Sequence, residues 1–239
     1  MSPLQAILDY EIANNIPPGW VNFSISRTSP NGSWHKLERG EIRLDDSFFS
    51  AFKQDLQQPS LWKQFQGRPG ATDTGSLPSL PEVDVEVLFW EMMRVSRTPD
   101  PYMFPALKKL KASGRFLIGA LSNTVIFPSG HPYNDDRIGL RDQFDFFVSS
   151  AHSGLRKPDP KIYEYALKTM NDVSSSQGGG EIRPSDVLFL DDIGENLKAA
   201  KQAGFRTLKV MLGKSQYAVQ ELETITGLPL FDSEARPKL

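Results

Sequence analysis

The sequence predicts an α/β protein in which a parallel sheet flanked by helices follows a purely helical region. Three observations carry that prediction. From Pro101 onward, short apolar runs alternate with amphipathic stretches, the rhythm of strand–helix–strand units that build a parallel sheet covered on both faces. Before Thr98 the apolar residues recur only at helical spacing. The 239 residues, 39% hydrophobic and 23% charged, suffice for one large folded unit or two small ones. The expected division is 1–97 and 98–239, at the proline-rich Thr98-Pro99-Asp100-Pro101.

In the first region Ser2 is placed to cap a helix, Pro3 suits its first position, and Leu4, Ile7, Leu8 and Ile12 form its stripe until Asn14, Asn15 and Pro17-Pro18-Gly19 end it. Asp45 or Asp46 caps a second helix carrying Phe48, Phe49, Phe52 and Leu56. The stretch from Pro59 to Pro81, with Arg68-Pro69-Gly70 and Leu77-Pro78-Ser79, reads as a surface loop. A third helix runs from Glu82 to Val95 with Val87, Leu88, Met92 and Val95 on it. Trp20, Trp34, Phe48 and Trp90 are expected to fill the core of this region, the favoured reading, or else to shape the selection of a ligand.

In the second region a helix over Pro105–Ser113 closes at Gly114, and Arg115–Leu121 is an almost unbroken apolar run, which predicts a buried strand. Further strands are predicted over Phe144–Ser149, Asp186–Leu190 and Arg206–Met211, with helices over Lys161–Met170 and Glu195–Ala203 between them. The run from Ser174 to Gly180 reads as a flexible loop, since it lacks the Lys-Ser/Thr of a phosphate-binding P-loop.

Composition excludes several functions. With 27 basic and 29 acidic side chains the net charge is −2, so no general attraction to nucleic acid or anionic lipid is expected. The absence of cysteine removes thiol nucleophiles, disulfides and thiolate metal sites, and His35, His131 and His152 are too scattered for a local histidine zinc motif. No apolar stretch approaches the roughly 20 residues needed to span a bilayer, and Asp9 and Glu11 sit where a signal peptide would be apolar. A soluble, cytoplasmic protein is the expectation.

Ligands of parallel α/β sheets bind beyond the carboxyl ends of the strands. Three such places are polar here: Ser122-Asn123-Thr124, Arg156-Lys157-Pro158-Asp159 and Asp191-Asp192. Each alone is ordinary, because Ser-Asn makes turns and caps, Lys-Pro makes solvated loops, and an acid pair is often structural. Together, spaced 35 and 34 residues apart by Ser122, Lys157 and Asp191, they supply a hydroxyl, an amide, an ammonium and two carboxylates. Those are the groups that hold a phosphate beside Mg²⁺.

At these residues the sequence resembles the haloacid dehalogenase (HAD) superfamily of hydrolases, in the branch of the phosphatase domain of soluble epoxide hydrolase. Leu121-Ser122-Asn123 is similar to its second motif, Arg156–Tyr163 to its third, and Phe189–Lys198, with Asp191-Asp192-Ile193-Gly194-Glu195-Asn196, to its fourth. Pro17-Pro18-Gly19 and Leu37–Ile42 resemble that branch's helical cap, so the likeness covers essentially the whole chain. The resemblance implies a Rossmann-like core with a helical cap over 1–97. It also implies a Mg²⁺-dependent phosphatase acting on a small phosphorylated metabolite through an aspartyl-phosphate. Ser122 and Lys157 would be catalytic; Ser122, Asn123 and Lys157 would bind the phosphoryl group. Asp192 and Asp191 would be the metal carboxylates, and Asn196 would support them.

The family's first motif, an apolar strand ending in Asp-x-Asp whose first aspartate attacks phosphorus, is what this chain lacks. Asp9-Tyr10-Glu11 follows helical spacing, and Asp45-Asp46 reads as a helix start. In the family that strand lies between those ending at Ser122 and Asp191. The expectations are therefore that the two flanking strands pair directly or that the functional polypeptide is longer, the second being favoured. Activity of this chain is expected to be nil or trace, with Mg²⁺ weak or lost; the alternative is a non-catalytic module that binds a phosphorylated ligand. A signalling receiver domain uses similar groups but places its acid pair before its lysine. Finally, Pro237-Lys238-Leu239 resembles a Ser-Lys-Leu peroxisomal address, an alternative to the cytoplasm.

Overall fold

A computed structural model describes residues 2–68, 78–136 and 139–231. They fall into two compact units, Met1–Thr98 and Pro99–Leu239. Pro69-Gly70, Leu77 and the terminal Pro237-Lys238-Leu239 lie outside the described residues. No helix among the described residues is long and apolar enough to cross a membrane.

The first unit holds six helices: α1 (Pro3–Ala13), α2 (Trp20–Arg27), α3 (Ser33–Glu38), α4 (Asp46–Leu56), α5 (Pro59–Gln66) and α6 (Val85–Ser96). Ser2 Oγ accepts the Leu4 amide and Asp45 Oδ1 accepts the amides of Ser47 and Phe48, so both expected caps form. The face that α1 buries is Ala6, Ile7, Tyr10 and Glu11, while Ile12 is exposed. On α6, likewise, Val85, Leu88, Phe89, Met92 and Met93 are buried and Val87 is exposed. In both helices a large apolar residue at the edge of the stripe was taken for a member of it.

A larger correction concerns Pro59–Gln66, read as loop and found as α5. Proline at the first helical position loses no hydrogen bond, and no breaker follows until Gly67. Leu61, Trp62 and Phe65 are buried, with Trp20 and Trp62 ring centroids 5.0 Å apart. Phe48, Phe52, Phe89 and Trp34 form a second aromatic cluster; Trp90 is half-buried. Tyr10 Oη accepts the Asp84 amide at 2.8 Å, pinning α1 to the start of α6.

The second unit holds α7 (Met103–Ala112), β1 (Gly119–Ser122), β2 (Phe146–Ser149), α8 (Ser150–Ser153), α9 (Pro160–Ser176), β3 (Leu188–Asp191), α10 (Gly194–Gln202), β4 (Arg206–Lys209) and α11 (Ser215–Thr226). α9 runs through Ser174–Ser176, which the sequence had suggested were loop, and α8 and α11 were not anticipated. All strand pairing is parallel, but it forms two separate ladders, β1 with β2 and β3 with β4. Direct pairing of β1 with β3, one of the two expectations above, is not found among the described residues. With one strand partner among the described residues, β1 is shorter than the apolar run that predicted it and is half-buried at best rather than buried.

The ladders are joined from below by an apolar cluster of Val148, Ile162, Tyr163, Ala166, Phe189 and Phe205, against which Leu121 packs. On the other face of β3 and β4, Leu188, Leu190 and Leu208 pack against α7, α11 and the Leu230-Phe231 segment. The two faces of β3 thus alternate as a strand's period of two requires.

Two substitutions test this packing. Gly119 is opposite Phe146 in register, and a methyl group there would fall inside the phenyl ring, 1.9 Å from its Cζ. Gly119→Ala should cost about 1–3 kcal/mol of unfolding free energy, as overpacking does, read by urea denaturation. Glu11 is buried and spends both carboxylate oxygens on backbone amides at the start of α2, Gly19 at 2.7 Å and Val21 at 2.8 Å. Glu11→Ala leaves those donors unpaired, at about 1–3 kcal/mol for each buried group. Burial raises the Glu11 carboxyl above the ordinary glutamate range, outweighing the two amide bonds that lower it. A folded-state value above the unfolded one means that Glu11's contribution is largest below the unfolded value and shrinks as pH rises through the folded one. The stability gap between the native chain and Glu11→Ala should therefore narrow from mildly acidic toward neutral pH; a gap that widens would contradict the reading.

Candidate functional site

The site is built where β1 and β3 end. Each is a short hydrogen-bonded strand, so the residue after it leaves the ladder with a fixed direction and a free side chain. After β1, Asn123 turns its amide onto the segment before α9. Its Oδ1 accepts the Lys157 amide at 2.8 Å, and its Nδ2 donates to the Lys157 carbonyl at 3.1 Å. This two-point grip holds the Lys157 backbone to the β1 loop. The Lys157 ammonium then donates to Asp191 Oδ2 at 2.6 Å, with the two side chains only 11% and 4% exposed. Its charge also lies 5.4 Å from the centre of the Phe189 ring.

Asp191, the last residue of β3, is the hub. Its Oδ1 accepts the Ile193 amide at 2.8 Å and Asn196 Nδ2 at 3.1 Å, and its backbone carbonyl accepts the Val210 amide at 3.0 Å. Asn196 sits in the first turn of α10, where it is buried, and its carbonyl receives the Tyr163 hydroxyl at 2.8 Å. Burial, with the Asp191 charge adding to it, pushes the Tyr163 phenol well above the usual tyrosine range, so it remains a donor. Tyr163 thereby ties α9 to α10 beneath the acid pair. Sequence reasoning assigned it no role, although it closes the Lys157–Tyr163 stretch and a tyrosine in a core helix needs a hydrogen-bond partner.

Of the residues singled out from the sequence, Asn123, Lys157, Asp191 and Asn196 form one connected network. Ser122 is half-buried and donates to the Asn123 carbonyl at 3.3 Å, a contact that leaves its hydroxyl able to accept. Asp192 faces differently from Asp191: its Oδ2 is buried and has no hydrogen-bond partner. Beside them is a hydroxyl chain that the sequence did not disclose. Thr124 Oγ1 and Ser149 Oγ are 2.6 Å apart, Ser149 Oγ lies 2.8 Å from His152 Nδ1, and Ser150 Oγ accepts the Thr124 amide. These contacts fasten the loop after β1 to the start of α8.

Does this set suit Mg²⁺? The ion prefers oxygen ligands and commonly takes one or two carboxylates, completing its shell with water and phosphate oxygens. Asp192 fits, since an unpartnered buried carboxylate oxygen is a cation's natural ligand. Asp191, expected to share that task, is committed to Lys157, Asn196 and the Ile193 amide. No group of three or more acidic or histidine side chains converges among the described residues. The donor set therefore offers a single carboxylate for the metal.

Parallel βα units whose loop ends gather an ammonium, an amide and an acid pair define an α/β protein with a polar, charged cluster at its strand ends. The chain belongs to the haloacid dehalogenase-like hydrolase family, whose model matches residues 29–204. It is 27% identical to mouse acyl-CoA dehydrogenase family member 10 over 96% of this chain and 18% of that protein. With pig bifunctional epoxide hydrolase 2 it shares 28% identity over 93% of this chain and 36% of the relative. The chain thus spans only a minor part of both relatives. The sesquiterpene phosphatase astK of Aspergillus oryzae is 27% identical over 82% of this chain and 80% of its own. Among solved structures, a dehalogenase superposes with a TM-score of 0.51 at 16% identity, over 97% of this chain and 93% of that one, a likeness of fold alone.

The network makes a specific demand on stability. Removing one partner of a buried ion pair typically costs about 3–5 kcal/mol, because the other charge is left unpaired. Lys157→Ala should approach that loss in denaturant unfolding, and Lys157→Ala with Asp191→Asn together should be less damaging than the sum of the two single changes. Strict additivity would show that the pair is not coupled.

Proposed function

We propose that this chain is the phosphoryl-binding part of a HAD-like phosphatase for a small phosphorylated metabolite. We further propose that residues 1–239 alone bind the ligand with little or no turnover. The supporting observation is the Lys157 ammonium held at 2.6 Å from Asp191 and gripped through its backbone by Asn123. An ammonium has three donors, and one is spent on Asp191. The remaining two can meet phosphoryl oxygens, while the Asn123 grip fixes where they point. Ser122 is the adjacent hydroxyl for the same group. Mg²⁺, when bound, would be held by Asp192 and would supply positive charge to the phosphoryl oxygens. Asn196 and Tyr163 position Asp191 and touch no ligand. The helical unit is proposed as the cap that selects the rest of the substrate.

The low-turnover part rests on where the carboxylates are. Hydrolysis through an aspartyl-phosphate needs an attacking carboxylate with a free oxygen in line with phosphorus. Glu11 spends both oxygens on α2, while Asp9, accepting from Gln5, and Asp45, capping α4, each spend one on a task within α1 or α4, the helix that each belongs to or caps. The non-catalytic binding module is the same reading with ligand recognition as its end.

p-Nitrophenyl phosphate hydrolysis with Mg²⁺ by residues 1–239 should be at or near background, while calorimetric titration with inorganic phosphate shows binding that weakens at least about tenfold in Ser122→Ala with Lys157→Met, the loss of one or two charge-assisted contacts. Hydrolysis at an ordinary enzymatic rate, abolished by Asp192→Ala, would overturn the low-turnover reading. Phosphate affinity unchanged in the double variant would overturn the site.

A further inference from the structure

Ser122 and Asn123 belong to a loop of the second unit that is held from a side the sequence gave no sign of. Ser150, the first residue of α8, is fully buried. Its hydroxyl accepts the Thr124 amide at 2.9 Å and donates to the Thr124 carbonyl at 3.4 Å. The Thr124 side chain is fixed as well, since its Oγ1 lies 2.6 Å from the hydroxyl of Ser149, the residue that pairs with Ser122 in the β1–β2 register. Thr124 therefore has little freedom of its own.

The restraint reaches Ser122 through a single peptide group. The Thr124 N–H and the Asn123 carbonyl are the two ends of one planar unit, so fixing the direction of one fixes that of the other. Ser150 holds the N–H end. At the opposite end the carbonyl accepts the Ser122 hydroxyl at 3.3 Å. Rotation of this plane would carry away the acceptor against which the Ser122 O–H is oriented. At 3.3 Å the bond is long for a hydroxyl donor, whose usual range ends near about 3.0 Å, so it directs the O–H more than it binds it. A charged phosphoryl oxygen is the stronger acceptor and can take that hydrogen bond over.

We propose that Ser150 is a positioning residue for the phosphoryl site: through the Asn123–Thr124 peptide it holds the Ser122 hydroxyl where a phosphoryl oxygen captures its hydrogen bond. The inference rests on the phosphoryl-binding reading above and adds to it a buried residue that touches no ligand. Its effect differs from ordinary loop fastening in one respect. Whatever Ser150 contributes to binding passes through Ser122 and vanishes when Ser122 has no hydroxyl.

Calorimetric titration of the full chain with inorganic phosphate tests it, with circular dichroism confirming that each variant is folded. Ser150→Ala removes the hydroxyl and adds no atom; it should weaken binding about fivefold or more, up to the loss that Ser122→Ala itself causes. In a chain already carrying Ser122→Ala, the same change should weaken binding by less than about twofold, because residues that act as a unit are not additive. If Ser150→Ala does not fold, Ser150→Cys takes its place, since a thiol of similar size is only a weak hydrogen-bonding group. Asn171→Ala is the structural control. It breaks a grip of the same kind, on the Ile182 amide at 2.8 Å and carbonyl at 3.1 Å, in the segment ahead of β3. That variant should lose stability in denaturant and keep native phosphate affinity. Native affinity in Ser150→Ala, an equal loss with and without the Ser122 hydroxyl, or the same loss in Asn171→Ala would overturn the positioning role alone. A native chain that binds no phosphate would overturn the phosphoryl-binding reading and this inference with it.

Discussion

The buried pair of Lys157 and Asp191 is the constraint on which the second unit is arranged. Taking two charges out of water carries a desolvation cost that their attraction offsets only when the remaining hydrogen-bonding capacity is also met. On Asp191 it is met by the Ile193 amide and Asn196, while Asn123 grips the Lys157 backbone and two of the ammonium's donors are left unspent. Ile193 and Asn196 come from the start of α10 and Asn123 from the loop after β1, so the ion pair and its partners fix that loop, the segment before α9 and the first turn of α10 together. Among the described residues the two strand ladders share no backbone hydrogen bonds, and this polar network crosses between them at their carboxyl ends. Beneath it the apolar cluster around Tyr163 and Phe189 does the same without direction. The core supplies free energy; the ion pair supplies register.

That division explains why the acid pair separates into two roles. Asp191 ends β3 inside the ladder, so its side chain points inward and is drawn into the network. One residue later the chain has left the strand, and Asp192 turns elsewhere with one oxygen buried and unmatched. Adjacent carboxylates repel when both are charged and close. The ammonium on Asp191 removes much of that repulsion. The geometry thus gives a repeated residue two settings, one acid paired with an ammonium and one with a buried, unmatched oxygen.

Much of this was legible in the sequence, and the parts that were not share physical causes. The helix caps Ser2 and Asp45 and the strand ends at Ser122 and Asp191 follow from local signals that a residue carries with it, whereas the place of Asn196 beside Asp191 was implied by the family resemblance. Failures came where a neighbour decides. Ile12 and Val87 are apolar and helical in spacing, yet which side of a helix is buried depends on what packs against it. Pro59 looked like a breaker because its place at a helix start is visible only once α5 is known to begin there. The run Arg115–Leu121 looked like a fully buried strand because apolar continuity reports how buried a strand is meant to be. It does not report how many partners the strand has in the described structure. The Thr124–Ser149–His152 chain had no signal, since hydroxyls gain meaning only when two loops meet.

The contrast between Asp9 and Glu11 shows how far a motif can be read as chemistry. Both are acids two residues apart on α1, and by spacing alone either could be offered as a reacting carboxylate. On a helix, two residues apart means opposite faces. Asp9 therefore faces solvent and bonds only Gln5, whereas Glu11 faces the core and must satisfy itself there. It does so by replacing the missing intrahelical partners at the start of α2, accepting two amides that would otherwise be buried and unpaired. A carboxylate whose oxygens are both committed, and whose protonated form is favoured by burial, is a poor nucleophile and a good structural cap. The same reasoning read in reverse singles out Asp192, where a buried acceptor stands without a donor.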